Sequence, residues 1–219
     1  MNNLTLILLV KGRDQFTKRW LNYMNSLNYK YKIVIGDGNK KSKIKKIVKS
    51  KKYQNLNIKY VSYNNNNYKD YYYMMYDIVK KHINTKYIRF CDNDDFVLPI
   101  QQENLIKFYE KNQKYISVGD FQIRFELLGE NNLYGNKLYF WFEGINRKIE
   151  KFSTKDVSEI FLNYQGYLYN IFKKKNITNI LFEIYKLNFS DLEIRDFYFK
   201  LRLITLGNLI YLNQSSYIR

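Results

Sequence analysis

The sequence predicts an α/β fold, a mixed sheet flanked by helices, on three observations. Through residue 114, short apolar runs alternate with segments of helical hydrophobic spacing, and polar clusters stand where the runs end. After Tyr115 the pattern switches to the two-residue alternation of antiparallel strands.

Each element follows from its own residues. LTLILLV at 4–10 is an unbroken apolar run, as in a strand covered on both faces. Phe16, Trp20, Tyr23, Met24 and Leu27 share one face of a helix over 14–27. YKIVIGDGN, 31–39, reads as strand and turn. The lysine-rich stretch 40–52 spaces Ile44, Ile47 and Val48 as an amphipathic helix with a solvated basic face. A third strand is expected at 56–63, and the asparagine run 64–67 reads as a low-complexity loop without a role. A helix over 71–83 leads into a strand at 86–90, and Pro99, the only proline, opens a helix that runs to about Lys114. Further on, ISVGDFQIRFELL and NKLYFWFEG alternate as strands, and helical stretches are expected around 157–163 and 166–174. DLEIRDFYFKLRLITLGNLIYL then reads as a helix closed by Gly207 and a short strand. No repeat or linker interrupts the chain, so one domain is expected over 1–219, with a nucleotide-binding half at about 1–114 and an acceptor-binding half at about 115–219.

Composition narrows the function classes. With 46% hydrophobic and 18% aromatic residues the chain can bury a core, which excludes a disordered polyelectrolyte despite a net charge of +17. A single cysteine, Cys91, excludes a disulfide framework and a cysteine zinc cluster, and fits a reducing, cytoplasmic compartment. MNNLTLILLVKGR carries no charged region before its apolar run and no small-residue cleavage site after it, so it reads as a first strand rather than a signal peptide. No run reaches the roughly 20 apolar residues of a membrane span. The positive charge raises a nucleic-acid-binding α/β protein as an alternative. The lysines are spread along a chain equally rich in Asn, Ile and Tyr, however, so no nucleic-acid partner is expected; peripheral attraction to an anionic membrane remains compatible.

The chemistry concentrates in CDNDDFVLP, 91–99. Asp92 and Asp94, one residue apart, repel each other unless something positive lies between them, and hard carboxylate oxygens suit Mg²⁺ or Mn²⁺. The competing reading is an Asx-rich turn in which Asp95 caps the helix at Pro99. Position at the carboxyl end of a strand, where open α/β sheets bind ligands, favours the metal. Lys11, Arg13 and Asp37 stand at equivalent strand ends.

Strand-KGR-helix, strand-IGDGN, strand, helix, KYIRFCDNDDFVLP and a late IRDFYFKLRLITLGN together resemble the family 2 glycosyltransferases of the GT-A fold, a Rossmann-like mixed sheet, over roughly residues 4–212. The resemblance implies transfer of a sugar from a nucleotide-diphosphate sugar, a UDP-sugar first, to an acceptor hydroxyl on a glycan or lipid-linked acceptor. It implies a surface polysaccharide or glycolipid product made in the cytoplasm or at the inner membrane face. It places Asp92 on ribose or metal, Asp94 on the metal, and Lys11, Arg13 and Asp37 on the nucleotide. The family's first acid before that glycine is replaced by Gly36. Asp196 falls on the catalytic-base position, with Arg195 in place of the usual preceding acid, and Asp95, Arg195 and Arg202 are minor candidates. A carboxylate base and a divalent cation that neutralises the leaving diphosphate suffice for one displacement, hence inversion. On residue type alone Asp191 and Glu193 compete with Asp196. A nucleotidyltransferase is a third reading, with Asp120 as its extra carboxylate. Asp37, Asp92, Asp94 and Asp196 lining one cleft would favour sugar transfer, and their scattering over the surface would sink it. His82, Cys91 and the aromatic run Tyr139, Phe140, Trp141, Phe142 are assigned to surface or core packing.

Overall fold

A computed structural model describes residues 3–128, 137–143, 148–149 and 167–219. The strands are β1 (Leu4–Val10), β2 (Lys32–Asp37), β3 (Ile58–Ser62), β4 (Tyr87–Cys91), β5 (Phe96–Val97), β6 (Tyr115–Leu128), β7 (Lys137–Glu143), β8 (Lys148–Ile149), β9 (Ile171–Lys173) and β10 (Asn208–Ile218). The helices are α1 (Asp14–Ser26), α2 (Ile44–Val48), α3 (Tyr68–Asp77), α4 (Pro99–Lys111), α5 (Lys174–Leu187) and α6 (Leu192–Leu206). One sheet runs β3-β2-β1-β4-β9-β6-β10-β5, with β7 on β6 and β8 on β10. β3, β2, β1 and β4 are parallel, whereas β9 runs antiparallel to both β4 and β6.

All seven residues of β1 are buried, and its side chains alternate between two cores. Ile7 and Leu9 join Val34, Ile88, Phe90 and the inner faces of α3, α5 and α6. Leu6, Leu8 and Val10 join Trp20, Leu21 and Met24 of α1 and Ile44 of α2. At about 1.5–3 kcal/mol for each large apolar side chain buried, this strand alone anchors both layers. A Cβ at Gly36 would lie 2.3 Å from Ile78 Cδ1, the end of a flexible side chain in the turn after α3, so a larger residue there would need that side chain to shift.

Several sequence expectations need correction. The lysine-rich helix is only one turn and a half, Ile44–Val48, followed by a 3-10 turn at Lys51–Tyr53. The asparagine run has a structural role: Asn67 and Asp70 form a capping box that starts α3 at Tyr68, earlier than periodicity indicated, and Asn65 is buried. Of the helix expected at 166–174, the described residues 167–173 hold instead a 3-10 turn at Tyr167–Tyr169 and strand β9. Helix α5 was not expected, and β10 is 11 residues long rather than short. The helix expected at 157–163 lies outside the described residues, as do the side chains of the Tyr139 to Phe142 run. Among the described residues, no helix is long and apolar enough to cross a membrane.

Candidate active site

Strand order reverses at β1, which has β2 on one side and β4 on the other, and a crevice opens at such a switch point beyond the carboxyl ends of the strands. Two turns build its walls. After β1, Gly12 (φ 75°) and Arg13 (φ 55°, ψ 46°) both take the left-handed conformation, turning the chain into α1. For a non-glycine residue this costs roughly 1–2 kcal/mol. The Arg13 guanidinium lies 4.8 Å above the Phe16 ring and forms an ion pair with Asp94.

The second wall is the acidic loop after β4. Asn93 ties it to α1, its Nδ2 donating to Thr17 Oγ1 at 3.0 Å. Tyr169 Oη donates to Asp92 Oδ2 at 2.6 Å, and Tyr217 Oη donates to Asp95 Oδ2 at 2.6 Å. The two tyrosine rings stack, with centroids 4.7 Å apart. Behind them Arg89 is fully buried: its Nε donates to Tyr169 O at 2.8 Å and its Nη1 to Ser216 Oγ at 2.7 Å, while Asp120 lies 3.7 Å from Nη2. Burial pushes the Asp92 carboxyl above the usual range; the Tyr169 bond opposes this and the Asp94 charge adds to it. Asp95 is pushed up to about 7, chiefly by burial, against the Tyr217 bond. Burial therefore disfavours the charged forms of Asp92 and Asp95, and a bound cation would favour them.

The cleft between these walls has a volume of about 350 Å³ and is lined by Lys11, Gly12, Arg13, Asp92, Asp94 and Arg219, among others. Of the predicted site residues it brings together Lys11, Arg13, Asp92 and Asp94. Asp95 sits behind them, and it does not cap α4, whose N-cap is Leu98 without a side-chain bond. Asp37 ends β2 in register with Val10, but it is fully buried outside the lining, accepting from Asn39 N at 2.9 Å and Tyr60 Oη at 2.8 Å.

Asp196 stands on α6, paired with Lys200 Nζ at 2.5 Å. It is not among the residues that line the cleft; the Tyr72 hydroxyl of α3 is raised by burial and then by the Asp196 charge. Arg195 is buried with its guanidinium 5.2 Å over the Tyr72 ring, and its Nε and Nη1 make no hydrogen bond. Arg202 clasps Glu183 of α5 through Nε at 2.6 Å and Nη2 at 3.0 Å. Asp191 is the N-cap of α6, accepting from Glu193 N and Ile194 N. Asp120 pairs with Arg89 in the interior, away from the cleft lining.

Sequence reasoning missed Tyr169, Tyr217 and Arg219. Tyr217 and Arg219 share a strand face by their two-residue spacing, but only the β10–β5 pairing carries them to the acidic loop.

The sequence profile of Glycosyl transferase family 2 matches residues 7–174, more than half of the chain. The chain belongs to glycosyl transferase family 2. No curated protein sequence matches it. In structure, this family 2 glycosyltransferase is similar to S. aureus TarS 1-349 (TM-score 0.61, 16% identity, covering 100% of this chain and 60% of that one). It is also similar to the mannosyltransferase PcManGT from Pyrobaculum calidifontis, solved with GDP-Man and Mn²⁺ (TM-score 0.60, 11% identity, covering 99% and 56%). At these identities the likeness shows a shared GT-A fold, and the chain spans about three fifths of those two chains and 36% of the longer TarS chain.

Proposed function

We propose that this family 2 glycosyltransferase moves a sugar from a nucleoside-diphosphate sugar to an acceptor hydroxyl, with a divalent cation and inversion at the anomeric carbon. The observation that carries the reading is that Asp92, Asp94, Lys11 and Arg13 line one cleft at the β1/β4 switch point, with Arg13 paired to Asp94. Among the described residues no cluster of three or more acids, histidines or cysteines forms a complete metal cage. Two carboxylates do fit Mg²⁺ or Mn²⁺ when phosphate oxygens complete the shell, and the adjacent Asp92 and Asp94 would repel each other less with a cation between them. Asp94 and Asp92 would hold it, and once bound it would neutralise charge on the departing diphosphate. Lys11 and Arg13 bind phosphate oxygens, Arg13 exchanging Asp94 for phosphate. Asp196 takes the proton of the acceptor hydroxyl. Asp37, through Tyr60 and Asn39, shapes the turn beside the nucleotide. The Pyrobaculum mannosyltransferase, with its GDP-Man and Mn²⁺, supports the donor class and the cation.

The finer reading is a UDP-sugar donor, a glycan or lipid-linked acceptor, and surface polysaccharide or glycolipid synthesis by a single domain over 1–219 on the cytoplasmic side. Exposed Lys40, Lys41, Lys43, Lys45, Lys46 and Lys49 would supply peripheral contact with anionic lipid, at about 1 kcal/mol for each lysine close to the surface. The test is thermal stability against UDP, GDP, dTDP, CDP and ATP, with and without Mn²⁺, on the native chain and on Asp94→Ala. A Mn²⁺-dependent shift for one diphosphate, absent in Asp94→Ala, supports the reading. No shift with any of them overturns it.

A further inference from the structure

Arg219 and Tyr169 lie at the cleft but outside any role assigned so far. Arg219 follows β10, beyond the residues matched by the family profile. Its backbone N–H donates to Ile123 O at 2.8 Å, extending the pairing of β10 with β6, and its side chain lines the cleft with Lys11, Arg13, Asp92 and Asp94. The guanidinium lies 5.0 Å from the centroid of the Tyr169 ring, within range of a cation–π contact. The edge of that same ring carries the hydroxyl that donates to Asp92 Oδ2 at 2.6 Å. One tyrosine therefore sets both a cation and a carboxylate of the cleft. It is itself held from behind by Arg89 Nε on its carbonyl and by stacking on Tyr217.

We propose that Arg219 is a diphosphate-binding residue of the donor site, and that Tyr169 is the positioning residue that holds Arg219 with its ring and Asp92 with its hydroxyl. The inference rests on the donor-site reading above. Lys11 and Arg13 arrive from the β1 turn, whereas Arg219 arrives from β10, so phosphate oxygens are met by cations from separate parts of the chain. An arginine suits this place because its planar donor array binds phosphate while its face remains stacked on an aromatic ring.

The experiment is calorimetric titration of the full chain with UDP and GDP, and with uridine and guanosine, in Mn²⁺. Circular dichroism melts run alongside on Arg219→Ala, Arg219→Lys, Tyr169→Phe and Tyr169→Leu. Arg219→Ala should weaken the diphosphate that binds by about 10- to 100-fold and leave its nucleoside unchanged, the size expected for a lost hydrogen bond to a charged group. Arg219→Lys should recover part of that loss, and it carries the comparison if the alanine variant does not fold. Tyr169→Phe keeps the ring, so it should raise the Mn²⁺ concentration needed for half-maximal diphosphate binding by about 5- to 10-fold without an effect on nucleoside affinity. Tyr169→Leu should lose both contributions. Unchanged diphosphate affinity in a folded Arg219→Ala, or equal losses for diphosphate and nucleoside, overturns the role of Arg219 while the donor site stands. A native chain that binds no diphosphate at all overturns the donor site and this proposal together.

Discussion

The hydroxyls of Tyr169 and Tyr217, two stacked rings from segments nearly 50 residues apart in sequence, each donate a 2.6 Å hydrogen bond to a carboxylate of the acidic loop, Tyr169 to Asp92 and Tyr217 to Asp95. Bonds this short are typical of a hydroxyl meeting an ionised acid, and they are stronger than neutral ones. They steady a loop whose successive acids would otherwise repel each other.

Removing the Tyr217 hydroxyl isolates this effect. Tyr217 is fully buried and Asp95 nearly so, and water cannot readily replace the lost donor. Tyr217→Phe should lower stability by about 1–3 kcal/mol, seen as a smaller free energy of urea unfolding at unchanged slope. A change within about 0.5 kcal/mol would mean that the loop does not depend on this bond.

Asp94 should behave in the opposite way. Its pair with Arg13 leaves both side chains nearly half exposed, 43% and 49%, so the pair contributes only about 0–1 kcal/mol to folding. Asp94→Asn should therefore melt close to the native chain and yet lose about 100-fold or more in donor turnover, measured as release of the nucleoside diphosphate. A melting loss as large as that of Tyr217→Phe, with turnover intact, would make Asp94 a structural residue.

The parallel half was legible because each of its strands is a local apolar run with a polar stop. The run at 4–10 became β1 unchanged, and 86–90 became β4 shifted by one residue. The cleft acids were legible for the same reason, since they follow a strand that runs parallel to β1. What failed was non-local. Ile171, Phe172 and Lys173 form a strand only because β4 and β6 offer edges on both sides, and three residues carry too little periodicity to announce it. The roles of Tyr169, Tyr217 and Arg219 depend on that pairing and on the long reach of β10. Arg202 shows the converse limit: its place in a motif suggested the site, whereas its geometry serves the joint between α5 and α6.

The buried pair Arg89 and Asp120 gives a pH dependence with a definite sign. Burial raises the Asp120 carboxyl to about 6, with Arg89 opposing the rise. The folded chain then keeps a proton that the unfolded chain releases near pH 4, so this stabilisation is complete below about pH 4 and is lost as the pH rises to about 6. Its size is on the order of 2–3 kcal/mol. Other acids titrate over the same range, so the useful quantity is the difference between the native chain and Asp120→Asn, each followed by urea unfolding from pH 4 to pH 7. The native chain should lose stability relative to Asp120→Asn between pH 4 and pH 6, so the gap between the two should change by that amount over this range. A constant gap would show that Asp120 is ionised throughout that range.

The proton acceptor is the step most open to direct test, because three acids begin the same helix with different surroundings. Asp191 spends its carboxylate on the backbone as the α6 cap, and Glu193 is exposed in the first turn, whereas Asp196, one turn further on, is paired with Lys200. Asp196 is about 40% exposed and its partner Lys200 is mostly buried, so the pair holds the carboxylate in place while leaving it within reach of a ligand. Asp196→Asn keeps the shape and removes the base. Transfer should fall by about 100- to 10,000-fold, with affinity for the nucleoside diphosphate changed by less than about twofold. Glu193→Gln should transfer at close to the native rate. Asp191→Ala should lose about 1 kcal/mol of stability from the missing cap while its transfer rate stays within a few-fold of native. Transfer that survives in Asp196→Asn but disappears in Glu193→Gln would move the base by one turn of α6 and would leave Lys200 with a purely structural partner.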